Sequence, residues 1–191
     1  MKISVLVGNP NPGSRTRRVA EAVAGAVAEV TGADRGEVFD LADLAASMFQ
    51  WPCAELDRCT AEVAGSDLVV VASPTYKATY TGLLKAFLDR YPTDGLAGVV
   101  AIPVMTGGSP AHSMAPDAYL RPLLVELGAS VPTRGLYVTM AQLSELDATV
   151  KTWTGANRAA LLGAAAARCG GPVAGSGDAE ARGKGDRWPT S

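Results

Sequence analysis

Gly8-Asn9-Pro10-Asn11-Pro12-Gly13-Ser14-Arg15-Thr16 stands between an apolar run and an amphipathic one. Residues 3–7 (ISVLV) are short, β-branched-rich and apolar, the pattern of a strand buried on both faces. From residue 16 onward, Val19, Val23, Ala26, Val27 and Val30 fall on one helical stripe. Between the two, the glycines and prolines force a turn, and Ser14 and Thr16 supply hydroxyls where the helix begins. A helix N-terminus carries unpaired N–H groups and partial positive charge, which suits a phosphate. Arg15 adds a cation with bidentate geometry. This loop reads as a seat for one phosphate.

Strand and helix signals alternate outward from it. Residues 36–39 read as a second strand, 41–48 as an irregular helical segment and 54–65 as a helix ending at glycine. The uninterrupted apolar run at 67–72 (DLVVVA) reads as a central strand. Residues 81–91 form a helix stopped by Pro92, and 98–105 (GVVAIPVM) a fourth strand. Residues 111–127 read as a helix kinked or restarted at Pro116 and Pro122. Pro132 and Gly135 push the fifth strand, 131–139, toward a sheet edge, and 145–168 is the last helix. Such alternation predicts an α/β fold: a doubly wound, five-stranded parallel sheet of flavodoxin-like order 2-1-3-4-5, with helices on both faces. Residues 1–169 make the domain. Residues 170–191, rich in Gly, Asp, Arg and Lys, read as a mobile C-terminal tail.

Composition narrows the function. A chain of 191 residues suits one domain with a full internal sheet. Seventeen basic against nineteen acidic residues leave a formal charge of −2 with no basic stripe, which argues against nucleic acid as a partner. Three cysteines and one histidine offer little to a metal. No stretch reaches the ~20 apolar residues that span a bilayer. With the N-terminus running directly into a strand, the expectation is a soluble, cytoplasmic protein.

In the order 2-1-3-4-5, the loops after strands one, three and four share one crevice. The loop after strand three is Ser73-Pro74-Thr75-Tyr76-Lys77-Ala78-Thr79-Tyr80-Thr81-Gly82. It offers backbone amides and flat surfaces to the edge of a heteroaromatic ring; taken alone it also fits a plain connection capped by Thr79 or Thr81. The loop after strand four, Thr106-Gly107-Gly108-Ser109-Pro110-Ala111-His112, lets backbone approach a planar ligand closely, although for an isolated Gly-Gly a tight turn before a helix is the commoner explanation. Together the loops describe a ligand with one phosphate and one polar planar ring, as in flavin mononucleotide (FMN).

The segments GNPNPGSRT (8–16), SPTYKATYTGLLKAFLDRYP (73–92) and VMTGGSPAHSMAPDAYLRPLL (104–124) occur in an order that resembles the NAD(P)H-dependent FMN reductases, a flavodoxin-like family that includes the reductases of sulfonate monooxygenase systems. The similarity covers roughly residues 1–165. It implies that Gly8, Asn9, Ser14, Arg15 and Thr16 hold the FMN phosphate. It also implies that Pro74, Thr75, Tyr76 and Lys77 line the isoalloxazine, that Thr106, Gly107, Gly108 and Ser109 meet its pyrimidine edge, and that His112 sits near the ring or nucleotide, although His112 fits a helix-start surface residue equally well. The first loop departs from the family pattern at Asn9-Pro10-Asn11, where relatives are often serine-rich.

The implied activity is hydride transfer from NADPH or NADH to FMN, with no catalytic acid–base pair because the cofactor carries the chemistry. Reduced flavin would then pass to a partner monooxygenase, and a homodimer or homotetramer is expected, with 111–127 as the contact and Arg121 as a surface or subunit-contact residue. Two neighbouring readings stay open: a quinone, azo or chromate reductase that retains its FMN, and a flavodoxin-type electron carrier, whose usual strongly acidic surface a charge of −2 does not provide. Other doubly wound functions lack their signatures. Gly13 is not followed by Gly-Lys-Ser/Thr, Gly8 and Gly13 do not make Gly-x-Gly-x-x-Gly, and no Gly-x-Ser-x-Gly elbow is present.

Overall fold

A computed structural model describes residues 1–169. The expected tail at 170–191 lies outside the described residues. Five parallel strands run in the order β2-β1-β3-β4-β5: β1 (Lys2–Val7), β2 (Asp34–Asp40), β3 (Leu68–Pro74), β4 (Val100–Gly107) and β5 (Leu136–Thr139). Helices α1 (Arg15–Thr31) and α5 (Leu146–Cys169) cover one face of the sheet. On the other face lie α2 (Ala54–Ala64), α3 (Gly82–Leu88) and α4 (Arg121–Glu126).

Side chains alternate along each strand, so the sheet feeds two cores. Val5, Val7, Val70, Ile102 and Val104 pack under α1 and α5 with Val19, Val23 and Val27. Leu6, Val69, Val71 and Met105 face Leu56, Leu84, Phe87 and Leu124 on the opposite side. All of these are nearly inaccessible to water, and each such aliphatic side chain contributes about 1.5–3 kcal/mol by burial.

The order 2-1-3-4-5 sets the strand ends in line. Val7 pairs with Asp40 and Ala72, and Pro74 with Thr106, so the loops leaving β1, β2, β3 and β4 emerge side by side. Pro103 is tolerated inside β4 for a positional reason. The Ala101 N–H bonds Ser130 O, so the missing N–H of Pro103 faces the same edge, where β5 begins only opposite Val104.

Besides shifts of a few residues at the ends of β2, α3 and β4, two elements differ in kind from the sequence reading. The fifth strand is Leu136–Thr139 rather than 131–139, because the preceding residues are claimed by side chains. Arg121 donates to the carbonyls of Val131 and Thr133 and to Asp117, whose carboxylate accepts the Gly135 N–H. Arg121 thus works as a strut within the chain, its side chain part-buried rather than standing free at the surface. The helix expected at 111–127 is three pieces: a tight turn at Pro110–His112, a wide π-turn at Pro116–Leu120, and α4. In the wide turn the Arg121 N–H reaches back five residues to Pro116 O. Pro122 has no N–H to return, and the chain widens there instead of breaking.

Candidate active site

The phosphate-type loop is built as its sequence demands. Ser14 caps α1, its hydroxyl accepting the Arg17 N–H at 3.2 Å. Asn9 closes an Asx turn by accepting the Asn11 N–H at 2.9 Å. Gly13 has a φ of +60°, a left-handed conformation that favours glycine. The first-turn N–H groups of Arg15 and Thr16 have no carbonyl within the helix to bond, so they point out of its end toward the crevice.

A buried polar chain ties this loop to the next. Asn9 Nδ2 donates to Thr16 Oγ1 at 3.0 Å, and the Thr16 and Thr106 hydroxyls lie 2.8 Å apart. Thr16 and Thr106 are 1% and 2% exposed, so the base of the crevice is a dry, fixed contact between the start of α1 and the end of β4. The loop after β3 is pinned in turn: the Thr75 N–H donates to Thr106 O at 2.7 Å. Its tip is a tight turn in which Tyr76 and Thr79 exchange backbone hydrogen bonds. The two residues at that tip, Lys77 and Ala78, both take positive φ, +51° and +72°. A pair of non-glycine residues in this region costs about 1 kcal/mol or more apiece.

These loops enclose a cavity of about 340 Å³ lined by Asn9, Asn11, Ser14, Arg15, Thr16, Pro74, Thr75, Tyr76, Thr106, Gly107, Gly108 and Met140. Its size lies within the range of roughly 300–1,000 Å³ common for small-molecule sites. A larger hollow, about 610 Å³, lies between α1 and α5 and takes no residue from the strand-end loops. Of these two, the one at the strand ends brings an anion seat together with polar backbone.

Ten of the fourteen predicted positions therefore line one cavity, and four do not. Gly8 is buried behind it, donating to Ala72 O and accepting the Thr81 hydroxyl at 2.5 Å. A Cβ on Gly8 would lie 2.5 Å from the Leu84 Cβ, so that glycine serves the packing of α3 on β1. Lys77 is exposed at the turn tip, Ser109 is exposed with its carbonyl held by the Tyr137 hydroxyl, and His112 is exposed at the end of the following turn.

The residues present suit a flavin phosphate and ring. Thr75 Oγ1 is buried on the cavity wall without a hydrogen-bond partner among the described residues, a polar atom in want of a ligand. Gly107 carries no side chain because a Cβ there would fall 1.8 Å from the Tyr137 hydroxyl; Gly108 faces open space. Arg15 lines the cavity, whereas Arg17 is drawn aside, pairing with Glu21 at 2.8 Å and lying 3.6 Å from Asp40. Glu21 foremost, and Asp40 with it, raise the affinity of Arg17 for its proton.

Sequence reasoning missed Met140, Tyr137 and Asp40. Met140 follows β5, whose loop also opens at this end of the sheet, and that topological rule was the available signal. Tyr137 gave none. Asp40, an acid ending a short strand beside the phosphate loop, was visible but unassigned.

Comparison with known proteins identifies the family. The family model described as NADPH-dependent FMN reductase matches residues 1–142. The FMN reductase (NADPH) of Escherichia coli is 33% identical over 149 residues, 75% of each chain. The protein of that name from Pseudomonas putida is 38% identical over 87 residues, 46% of this chain and 44% of that protein. Among solved structures, the NADH:FMN oxidoreductase EmoB in its apo form superposes with a TM-score of 0.71 at 31% identity, over 81% of this chain and 89% of that one. An archaeal flavodoxin, at 18% identity and a TM-score of 0.54, shares the fold alone. The chain belongs to the NADPH-dependent FMN reductase family.

Proposed function

We propose that this protein is an NAD(P)H:FMN oxidoreductase whose crevice at the ends of β1, β3 and β4 is the flavin site. FMN held there would supply the redox chemistry of hydride transfer with NADPH or NADH. The protein's part is to bind and orient. Ser14, Arg15 and Thr16, with the first amides of α1, hold the phosphate; Pro74, Thr75 and Tyr76 wall the ring; Thr106, Gly107 and Gly108 meet its polar edge. The unpartnered, buried Thr75 hydroxyl, on the same cavity that Arg15 lines, is the observation that carries the reading.

Supply of reduced flavin to a monooxygenase is the physiological role we favour. It is supported by relatives such as the NADH-dependent FMN reductase SfnF of Pseudomonas fluorescens, 30% identical over 156 residues, 78% of this chain and 82% of that protein. The same proposal includes a cytoplasmic setting, where both nucleotides are available; no helix among the described residues is long and apolar enough to cross a membrane. It also includes a homodimer or homotetramer, to which the exposed Met114, Tyr119 and Val125 between β4 and β5 lend support.

The test is direct. Purified protein is titrated with FMN, and oxidation of NADH and of NADPH is followed with and without flavin. Saturable FMN binding and flavin-dependent oxidation are expected. A chain that binds no FMN and oxidises neither nucleotide in its presence defeats the proposal. Light scattering in solution reads the oligomeric state, and a monomer at micromolar concentration removes that part alone.

A further inference from the structure

We infer that Asp40, which lies behind the crevice wall, weakens the grip of the phosphate seat and so sets how readily a phosphorylated flavin leaves. This rests on the assignment of the Ser14–Thr16 end of the cavity as that seat.

Asp40 ends β2 directly beside Val7 of β1. Its side chain is 1% exposed. One carboxylate oxygen accepts the Gly13 N–H at 3.2 Å, and the other accepts the Ala42 N–H at 3.4 Å. The nearest cation is the Arg17 guanidinium, 3.6 Å away, already bonded to Glu21 and itself 36% exposed.

Two donors that would otherwise strengthen an anion site are therefore occupied. The Gly13 N–H is turned toward β2 by its left-handed backbone. Arg17, on the first turn of α1, is held between two carboxylates, leaving Arg15 as the guanidinium on the cavity wall. The acid also places a negative charge, in a site with little water to screen it, directly behind the loop that receives a phosphate. A neutral amide has one acceptor oxygen and meets the Gly13 or the Ala42 N–H but not both, so the loss of an acceptor, which disturbs the loop for either flavin, is read by riboflavin, and the loss of charge by FMN. Aspartate thus adds a second acceptor and a charge, and that charge opposes the ligand's. The predicted effect is on phosphorylated flavin only, because riboflavin has no group there.

The experiment compares wild type with Asp40→Asn, and with Asp40→Ser as a second charge-free variant that retains an acceptor. FMN and riboflavin are titrated separately by flavin fluorescence quenching, without pyridine nucleotide, at low and high salt. FMN dissociation rates are measured by rapid dilution. Removing the charge should tighten FMN binding ~5-fold or more at low salt and slow its release in proportion, leave riboflavin within ~2-fold, and lose much of the difference at high salt. Unchanged or weaker FMN binding in the folded variants, with wild type still preferring FMN to riboflavin, overturns the role of Asp40 alone. A wild type that does not distinguish the two flavins overturns the phosphate seat and this inference with it.

Discussion

Replacing Arg15 by alanine separates holding the ligand from holding the fold. The Arg15 side chain is exposed, and no salt bridge among the described residues includes it. Its loss should therefore leave stability within about 0.5 kcal/mol of wild type. On the ligand side it supplies one charge-assisted contact to a phosphate, worth about 1.5–3 kcal/mol, or roughly a 10- to 150-fold rise in the FMN Kd. Riboflavin affinity should not move.

Ser14→Ala is the complement. It removes the cap that accepts the Arg17 N–H, costs about 1 kcal/mol of stability, and lowers Tm by about 2–4 °C in a domain of this size. Fluorescence titration with both flavins, beside thermal melts, reads all of these. Equal weakening of FMN and riboflavin by Arg15→Ala, or no weakening of either, would refute the phosphate seat.

Three further outcomes are expected. Thr106→Val, nearly isosteric, removes the Thr16–Thr106 hydroxyl contact at the base of the crevice and leaves the Thr16 hydroxyl with Asn9 Nδ2 alone; denaturant melts should show a loss of about 1 kcal/mol, with flavin binding weakened as well. Ala78→Gly relieves a left-handed alanine and should leave the domain equally stable or up to about 1 kcal/mol more stable, whereas a clear loss would show that this turn is unstrained. Asp67 is held below the usual carboxylate range, first by the Lys2 N–H and then by Arg168. Its contribution is present above the ordinary aspartate pKa of ~3.9 and is lost as pH falls through its lowered folded value. The stability gap between wild type and Asp67→Asn, measured by urea melts across the acid range, should therefore close toward low pH.

The residues differ in how openly they declare their work. The parallel sheet was legible because ISVLV and LVVVA have no polar alternation, and helices on both faces follow from that. The cavity wall was legible wherever a loop was chemically odd: Gly-rich, Pro-flanked or hydroxyl-bearing at a helix start. Contacts that depend on register were hidden. Tyr137 matters through its reach across β4 to the Ser109 carbonyl, and Asp40 through its place opposite Val7; neither position has a local signature. Gly8 misled for the opposite reason, since a glycine next to a phosphate loop and a glycine beneath a helix look alike in one dimension. The wide turn at Pro116–Leu120 was sensed only as a kink, because sequence spacing does not show how a helix absorbs an extra residue.

The Thr81 hydroxyl accepts the Leu84 N–H and donates to Gly8 O. One oxygen thereby welds the root of the β1 loop to the root of the β3 loop. Walls joined at their foundations do not swing apart like a lid. A flavin seated there, as proposed, would enter and leave through a standing doorway, at a pace set by the contacts it makes and breaks. Tuning that traffic falls to charges and hydroxyls along the frame, and stiffening the loops further would change it little.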